Sequence, residues 1–275
     1  MTHRIAGLIL LAITLLTTTA ASAEDVGFEL EDVGFATPES VLHDVEADVY
    51  LVSNINGNPV AKDGNGFISK VSPAGTVLVL KWIDGARPGV ELNAPKGMAI
   101  VGEALYVTDV DVVRVFDRTT GAPRAAIPIE GATFLNDLAA ASDGRVYVSD
   151  MGVTVGPDGF SPTGSDAIWS IRRGAPTLLI KGKDLGKPNG IVVVGIDQLI
   201  VATFGSGEVY EIRQGARIDV RPAPEGAGSL DGIVLSTPSA YLVSSWEARA
   251  IYRLTGKTWT VVAADIDAPA DIGWD

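Results

Sequence analysis

The chain has no cysteine and only two histidines, His3 and His43. The first absence excludes disulfides, thiolate nucleophiles and Cys-type zinc sites. The second makes a His-rich zinc site impossible and leaves a His-based triad without support. Positive charge is scarce as well: 21 Lys and Arg against 34 Asp and Glu give a net charge of −13. Such a surface disfavours nucleic acid and anionic membranes as partners. Only one long apolar run occurs, over residues 5–16, and it falls short of the roughly 20 residues a membrane span needs. His3 and Arg4 precede it and Ala21-Ser22-Ala23 follows, which is the pattern of a secretory signal peptide over 1–23 cleaved after Ala23. Cleavage takes one Arg and no acid, leaving the mature chain one unit more negative. The expectation is a periplasmic or secreted protein, free of the membrane once processed. Sustained 3.6-residue apolar periodicity is missing too, so helices are not expected.

What the chain does contain is a repeat. "PESVLHDVEADVYLVSN", "PKGMAIVGEALYVTDV", "LNDLAAASDGRVYVSDM", "PNGIVVVGIDQLIVATF", "LDGIVLSTPSAYLVSSW" and "PADIGWD" align on their first residues. A third apolar run follows each of the first five ("FISKV", "VVRVF", "AIWSI", "EVYEI", "AIYRL"), and then a weaker fourth. Val, Ile, Tyr and Trp fill the runs, while Gly, Asp and Pro fill the turns. Without the Gly/Pro/Asp-rich insertions at 55–66 and 152–164, the period is about 40 residues, four short strands per unit. This predicts an all-β fold, a six-bladed β-propeller whose last blade is incomplete at the C-terminus. About 20 further residues would be needed to finish it at this period. Residues 37–275 form the propeller domain, and 24–36 are expected to supply a strand closing the last blade.

In a propeller the first strands line a central channel and run the same way, so the residues at their entrances meet at one mouth. The marked residues are Glu39, Lys96, Asn136, Asn189, Asp231 and Asp271. Five carry oxygen donors, a set suited to Ca²⁺, with Mg²⁺ or Mn²⁺ as alternatives. Asn and Asp before Gly are also ordinary turn residues, and the residues alone leave both readings open. Phe204, Trp246 and Met151 close second strands at the same mouth. Asp109 and Asp150 close "YVTD" and "YVSD"; they are secondary candidates for positioning substrate, against the commoner role of capping strand ends or bonding neighbouring blades. His43, four residues after Glu39, falls on the same side of an extended strand.

Across nearly the whole mature chain, the units resemble the senescence-marker-protein/gluconolactonase/luciferin-regenerating-enzyme (regucalcin-like) family of six-bladed propellers. The residues carrying the resemblance are Glu39 in "PES", Asn136 in "LND", Asn189 in "PNG" and Asp231 in "LDG", in order and at blade spacing. It implies a channel-mouth calcium held by Glu39, Asn189 and Asp231, with Asn136 beside it or bonded through water. Asp231 would also be the catalytic general base. Substrate would be contacted by Asn136, Phe134, Asp109, Asp150 and Trp246. Phe134 stands where sugar-lactone hydrolases of the group commonly carry Arg, which points to a less polar substrate. The implied activity is a calcium-dependent lactonase, hydrolysing a small-molecule lactone or related ester. The alternative is a noncatalytic propeller that binds a ligand or protein and uses the cation structurally.

Overall fold

A computed structural model describes residues 28–273; the expected signal peptide, 1–23, lies outside them. The runs of β-branched and aromatic residues fold into antiparallel four-stranded sheets. Blade one holds β1 (Pro38–Asp44), β2 (Val49–Asn54), β3 (Phe67–Val71) and β4 (Val77–Asp84). Blade two holds β5 (Pro95–Val101), β6 (Ala104–Asp109), β7 (Val112–Asp117) and β8 (Pro123–Pro128). Blade three begins with β9 (Leu135–Ala140) and β10 (Val146–Asp150). A hairpin of β11 (Val153–Gly156) and β12 (Gly159–Pro162) then interrupts it before β13 (Ala167–Arg172) and β14 (Ala175–Lys181) complete the sheet. Blade four holds β15 (Pro188–Gly195), β16 (Gln198–Thr203), β17 (Glu208–Arg213) and β18 (Ala216–Pro222). Blade five holds β19 (Leu230–Thr237), β20 (Ala240–Ser245), β21 (Ala250–Thr255) and β22 (Thr258–Ala263). Among the described residues helix is confined to one 3₁₀ turn, Lys183–Leu185, and none is long and apolar enough to cross a membrane.

Apolar side chains pack between successive blades, as they must when each sheet has two faces to cover. Leu51, Ile68, Leu105 and Phe116 fill the space between blades one and two. Val113, Leu135, Val146 and Val148 do so between two and three. Tyr147, Leu199, Val201 and Tyr210 join three to four, and Ile200, Leu230, Val243 and Leu254 join four to five.

Five blades form among the described residues, where the repeat predicted six. In place of a sixth inner strand, residues 270–273 lie between β19 and β1. Asp271 N donates to Glu39 O at 2.9 Å. A Cβ built on Gly232 would stand 2.5 Å from Ile272 N, and one on Gly273 2.6 Å from Val41 O. The described part of the expected closing segment, 28–36, forms no strand. Instead Phe28 covers Gly75 in the turn before β4, where a Cβ would meet its ring at 2.8 Å.

A repeated bond fixes the register from blade to blade. Thr108 Oγ1 donates to Asn136 O at 2.5 Å, Ser149 Oγ to Asn189 O at 2.6 Å, and Ser244 Oγ to Ala270 O at 2.8 Å. By this register Ala270, not Asp271, is the counterpart of Asn136 and Asn189. The marked position of the sixth segment is therefore one residue earlier than the dipeptide pattern suggested. Ser149→Ala removes such a bond and leaves a buried carbonyl unpaired, so it should cost about 1–3 kcal/mol. Urea unfolding, read as a midpoint shift at unchanged slope, measures it.

Candidate functional site at the channel mouth

At the head of every inner strand the pairing slips at the same place. The register breaks between Pro38 and Val41, Pro95 and Met98, Leu135 and Leu138, Pro188 and Ile191, and Leu230 and Ile233. Such an irregularity re-aims the residue it contains. That residue is Glu39, Lys96, Asn136, Asn189 or Asp231, and all five line one cavity of about 370 Å³ together with Ala270. The residue after it faces the neighbouring inner strand at close quarters. In three blades it is Gly: a Cβ on Gly190 would stand 2.3 Å from Asp231 O, and one on Gly97 2.6 Å from Asp137 Cα. Asn189 therefore sits at a strand entrance because the bulge presents it to the channel and Gly190 lets β15 pass β19.

A second ring of residues surrounds the first. Ile55, Met151, Phe204 and Trp246 each follow a second strand, and each backbone N–H donates to the carbonyl two residues before its blade's marked position. The acceptors are Thr37, Phe134, Lys187 and Ser229, at 3.1, 2.9, 3.0 and 3.1 Å. The cavity thus has a polar floor and an apolar wall.

On the floor, Glu39 Oε2, Asn189 Oδ1 and Asp231 Oδ1 are buried and accept no hydrogen bond. Orphaned buried oxygens of this kind are rare and call for an explanation. Burial, then the like charges of Asp231 and Asp271, hold Glu39 well above the usual carboxylate range, with Lys96 opposing. Burial and then Asp271 raise Asp231, partly offset by the Trp246 and Asn189 donors. Lys96 is pushed down to about 8 by burial, with Glu39 and Asp109 pulling it back up. Its Nζ donates to Pro59 O at 2.9 Å and Ala94 O at 3.0 Å, and lies 4.5 Å from the centroid of Phe134. Asn136 Nδ2 reaches Met151 Sδ at 3.5 Å.

The other expected residues divide. Phe134 and Trp246 line the cavity. Asp109 and Asp150 do not, because backbone amides and one Arg occupy them. Asp109 accepts from Asn93 N, Ala94 N, Asn93 Nδ2 and Arg114 Nε at 2.9–3.1 Å. Asp150 accepts from Phe134 N and Gly152 N at 3.0 Å each. Both fasten loops, and neither lines the cavity. His43 stacks on Tyr50, with ring centroids 5.0 Å apart, and lines a second cavity of about 450 Å³ with Asp137 and Asp271. The break between Pro38 and Val41 destroys the alternation that would have put His43 beside Glu39. Asp271 is pushed up to about 6 by burial, and its Oδ2 accepts from Ser40 Oγ at 2.5 Å.

Among the described residues no three His, Cys, Asp or Glu side chains converge as a metal-binding group. The floor instead combines two carboxylates with carboxamides, a donor set for a hard cation. Phe160, which β12 brings to the cavity, had no role assigned from the sequence. Its only signal was a lone aromatic in a Gly/Pro-rich insertion.

No protein-family profile matches the chain, and no curated protein sequence matches it. Solved structures share its fold. A protein called a "putative gluconolactonase" is 16% identical, with 86% of this chain and 81% of that one covered at a TM-score of 0.64. Luciferin-regenerating enzyme is 13% identical over 86% and 79%, with a TM-score of 0.62. A chain of a nidogen/laminin complex is 16% identical over 81% and 78%, also at 0.62. What is common at these identities is the propeller architecture.

Proposed function

We propose that the protein is an exported, metal-dependent hydrolase of lactones or related esters, acting in the periplasm or outside the cell. One observation carries the reading: three buried oxygens, from Glu39, Asn189 and Asp231, meet at one cavity and have no hydrogen-bond partner. A purely structural propeller has no reason to leave them so. They fit a hard divalent cation, Ca²⁺ first and Mg²⁺ or Mn²⁺ as alternatives. When bound, such an ion would supply Lewis-acid polarisation of the substrate carbonyl.

The side chains do the rest. Asp231, held above the usual carboxylate range by burial, takes the proton as water oxygen adds to the carbonyl carbon. It returns that proton to the departing alkoxide as the ring C–O bond breaks. Asn136 stands beside the reacting carbonyl and orients it. Lys96 lowers the cost of burying Glu39 beside Asp231. The likeness to a "putative gluconolactonase" and to luciferin-regenerating enzyme supports a propeller of hydrolytic type.

Purified mature protein should hydrolyse members of a panel of sugar, aliphatic and aromatic lactones, and lose turnover on chelation. Replenished Ca²⁺ should restore it, and Asp231→Ala should abolish it. A second reading, a ligand- or protein-binding propeller with a structural cation, draws on the half-exposed aromatic mouth and on the likeness to a chain of the nidogen/laminin complex. A folded, metal-loaded protein inert toward the whole panel would decide for that reading.

A further inference from the structure

Four aromatic rings form a continuous crescent over the cavity. Phe134 meets Phe160 at 5.9 Å between centroids, Phe160 meets Phe204 at 5.9 Å, and Phe204 meets Trp246 at 5.6 Å. All three contacts are edge-to-face, with interplanar angles of 82°, 68° and 81°. This is the geometry in which aromatic rings attract one another while offering faces and edges to a further ring. The four come from different places: the entrance to blade three, the β11–β12 hairpin, and the second-strand exits of blades four and five.

Two of them are costly to leave as they are. Phe160 is 41% exposed and Trp246 40% exposed, and together with the buried rings they make an apolar patch at a concave mouth. Patches of that kind mark binding sites. The hairpin that carries Phe160 is fastened at its base. Gly152, at φ 63°, leaves β10 in the left-handed region, and a Cβ there would stand 2.3 Å from Asp166 N. Thr163 N donates to Gly152 O at 2.8 Å. The hydroxyls of Thr133, Thr163 and Ser165 bond one another at 2.8–3.2 Å. Phe160 is therefore presented by a braced element.

The aromatic crescent offers no hydrogen bond to a polyol, and outside the floor only Thr37 and Asp267, among the described residues, bring polar side chains to the cavity. The cation at the site, Lys96, spends two of its protons on Pro59 O and Ala94 O and turns toward the Phe134 ring. Sugar hydroxyls laid against the crescent would give up water and find no partner there. We propose, resting on the hydrolase reading above, that the substrate is a lactone or ester bearing an aryl or comparably bulky hydrocarbon substituent. That group lies in the crescent, the carbonyl reaches the oxygen floor, and Phe160 is the specificity-determining residue.

The test compares γ-phenyl-γ-butyrolactone with D-glucono-δ-lactone on Ca²⁺-loaded mature wild type, Phe160→Ala and Phe160→Leu. Wild type should favour the phenyl lactone in kcat/KM by at least about 100-fold, within the range a hydrophobic pocket discriminates. Phe160→Ala should cut that preference about tenfold, mainly by raising KM for the phenyl lactone, and Phe160→Leu should keep part of it. Equal or better turnover of the sugar lactone, or a ratio indifferent to Phe160→Ala, overturns the inference while the hydrolase reading stands. If neither lactone nor any other member of the panel is turned over, the hydrolase reading fails, and binding of 5-phenyl-2-pyrrolidinone by calorimetry decides the crescent alone. Tighter binding to wild type than to Phe160→Ala supports an aryl site, and equal or absent binding overturns it.

Discussion

Asp231→Asn is expected to lower lactone turnover by about 10²–10⁴-fold, the range associated with a single positioned general base. The substitution keeps an amide oxygen where Asp231 Oδ1 now lies buried and without a partner, so an oxygen ligand survives while the proton acceptor is lost. Cation affinity should weaken, and raising Ca²⁺ should recover occupancy, followed by calorimetry, without recovering the rate. Glu39→Gln provides the contrast, since it changes a ligand and leaves the base in place. Its loss of turnover should follow its loss of occupancy and be largely restored at high Ca²⁺. If Asp231→Asn activity returns in proportion to occupancy, Asp231 is a ligand only and the base must be sought elsewhere on the floor. The pH profile adds an independent readout. Burial and the charge of Asp271 raise Asp231 above the ordinary carboxylate range, and a cation beside it would pull it down again. The acid limb of kcat/KM should therefore move to lower pH as Ca²⁺ is raised.

The ring of side chains was legible because a propeller turns a sequence period into a circle. "FISKV", "VVRVF", "AIWSI", "EVYEI" and "AIYRL" all became third strands, since alternating β-branched residues bounded by Gly and Asp have few other ways to bury one face. The heads of the inner strands were equally visible in "PES", "LND", "PNG" and "LDG". What escaped depended on one-residue offsets and on who bonds whom. In "PAD" the acid falls one place later than in "LDG", so Asp271 reaches the opposite end of the channel and Ala270 takes the mouth. For Asp109 and Asp150, which end second strands near the mouth, the sequence left two roles open, positioning substrate and capping or bonding neighbouring segments. Their oxygens are already committed to Ala94 N and Phe134 N, which only three dimensions reveal. Phe160 was hidden for the opposite reason, because a hairpin inside an insertion obeys no repeat and its reach across the mouth is a tertiary fact.

Without cation the stability of the protein should fall as pH rises, and the stabilisation that a cation adds should grow over the same range. Glu39, Asp137, Asp231 and Asp271 are buried together, and burial raises all four, Asp271 to about 6. A carboxylate whose folded value is raised stabilises the fold below its unfolded value near 4 and loses that contribution as pH climbs through the folded value. For Asp271 alone the difference between pH 4 and neutrality is on the order of 3 kcal/mol. Metal-free protein should accordingly melt at lower temperature at pH 7.5 than at pH 5, and Asp271→Asn should flatten that slope. A cation requires the same floor carboxylates ionised, so its benefit grows where the metal-free protein weakens. At pH 7.5 and a hundredfold excess over the dissociation constant, Ca²⁺ should add about 2.7 kcal/mol, or about 5–10 °C for a chain of this size. At pH 5 the same concentration should add a small fraction of that. Scanning calorimetry at both pH values, with Ca²⁺ and with chelator, measures all four corners. A Ca²⁺ shift that is equal at the two pH values would place the ion away from Glu39 and Asp231. No shift at either would leave their orphaned oxygens to be explained by water or by the substrate itself.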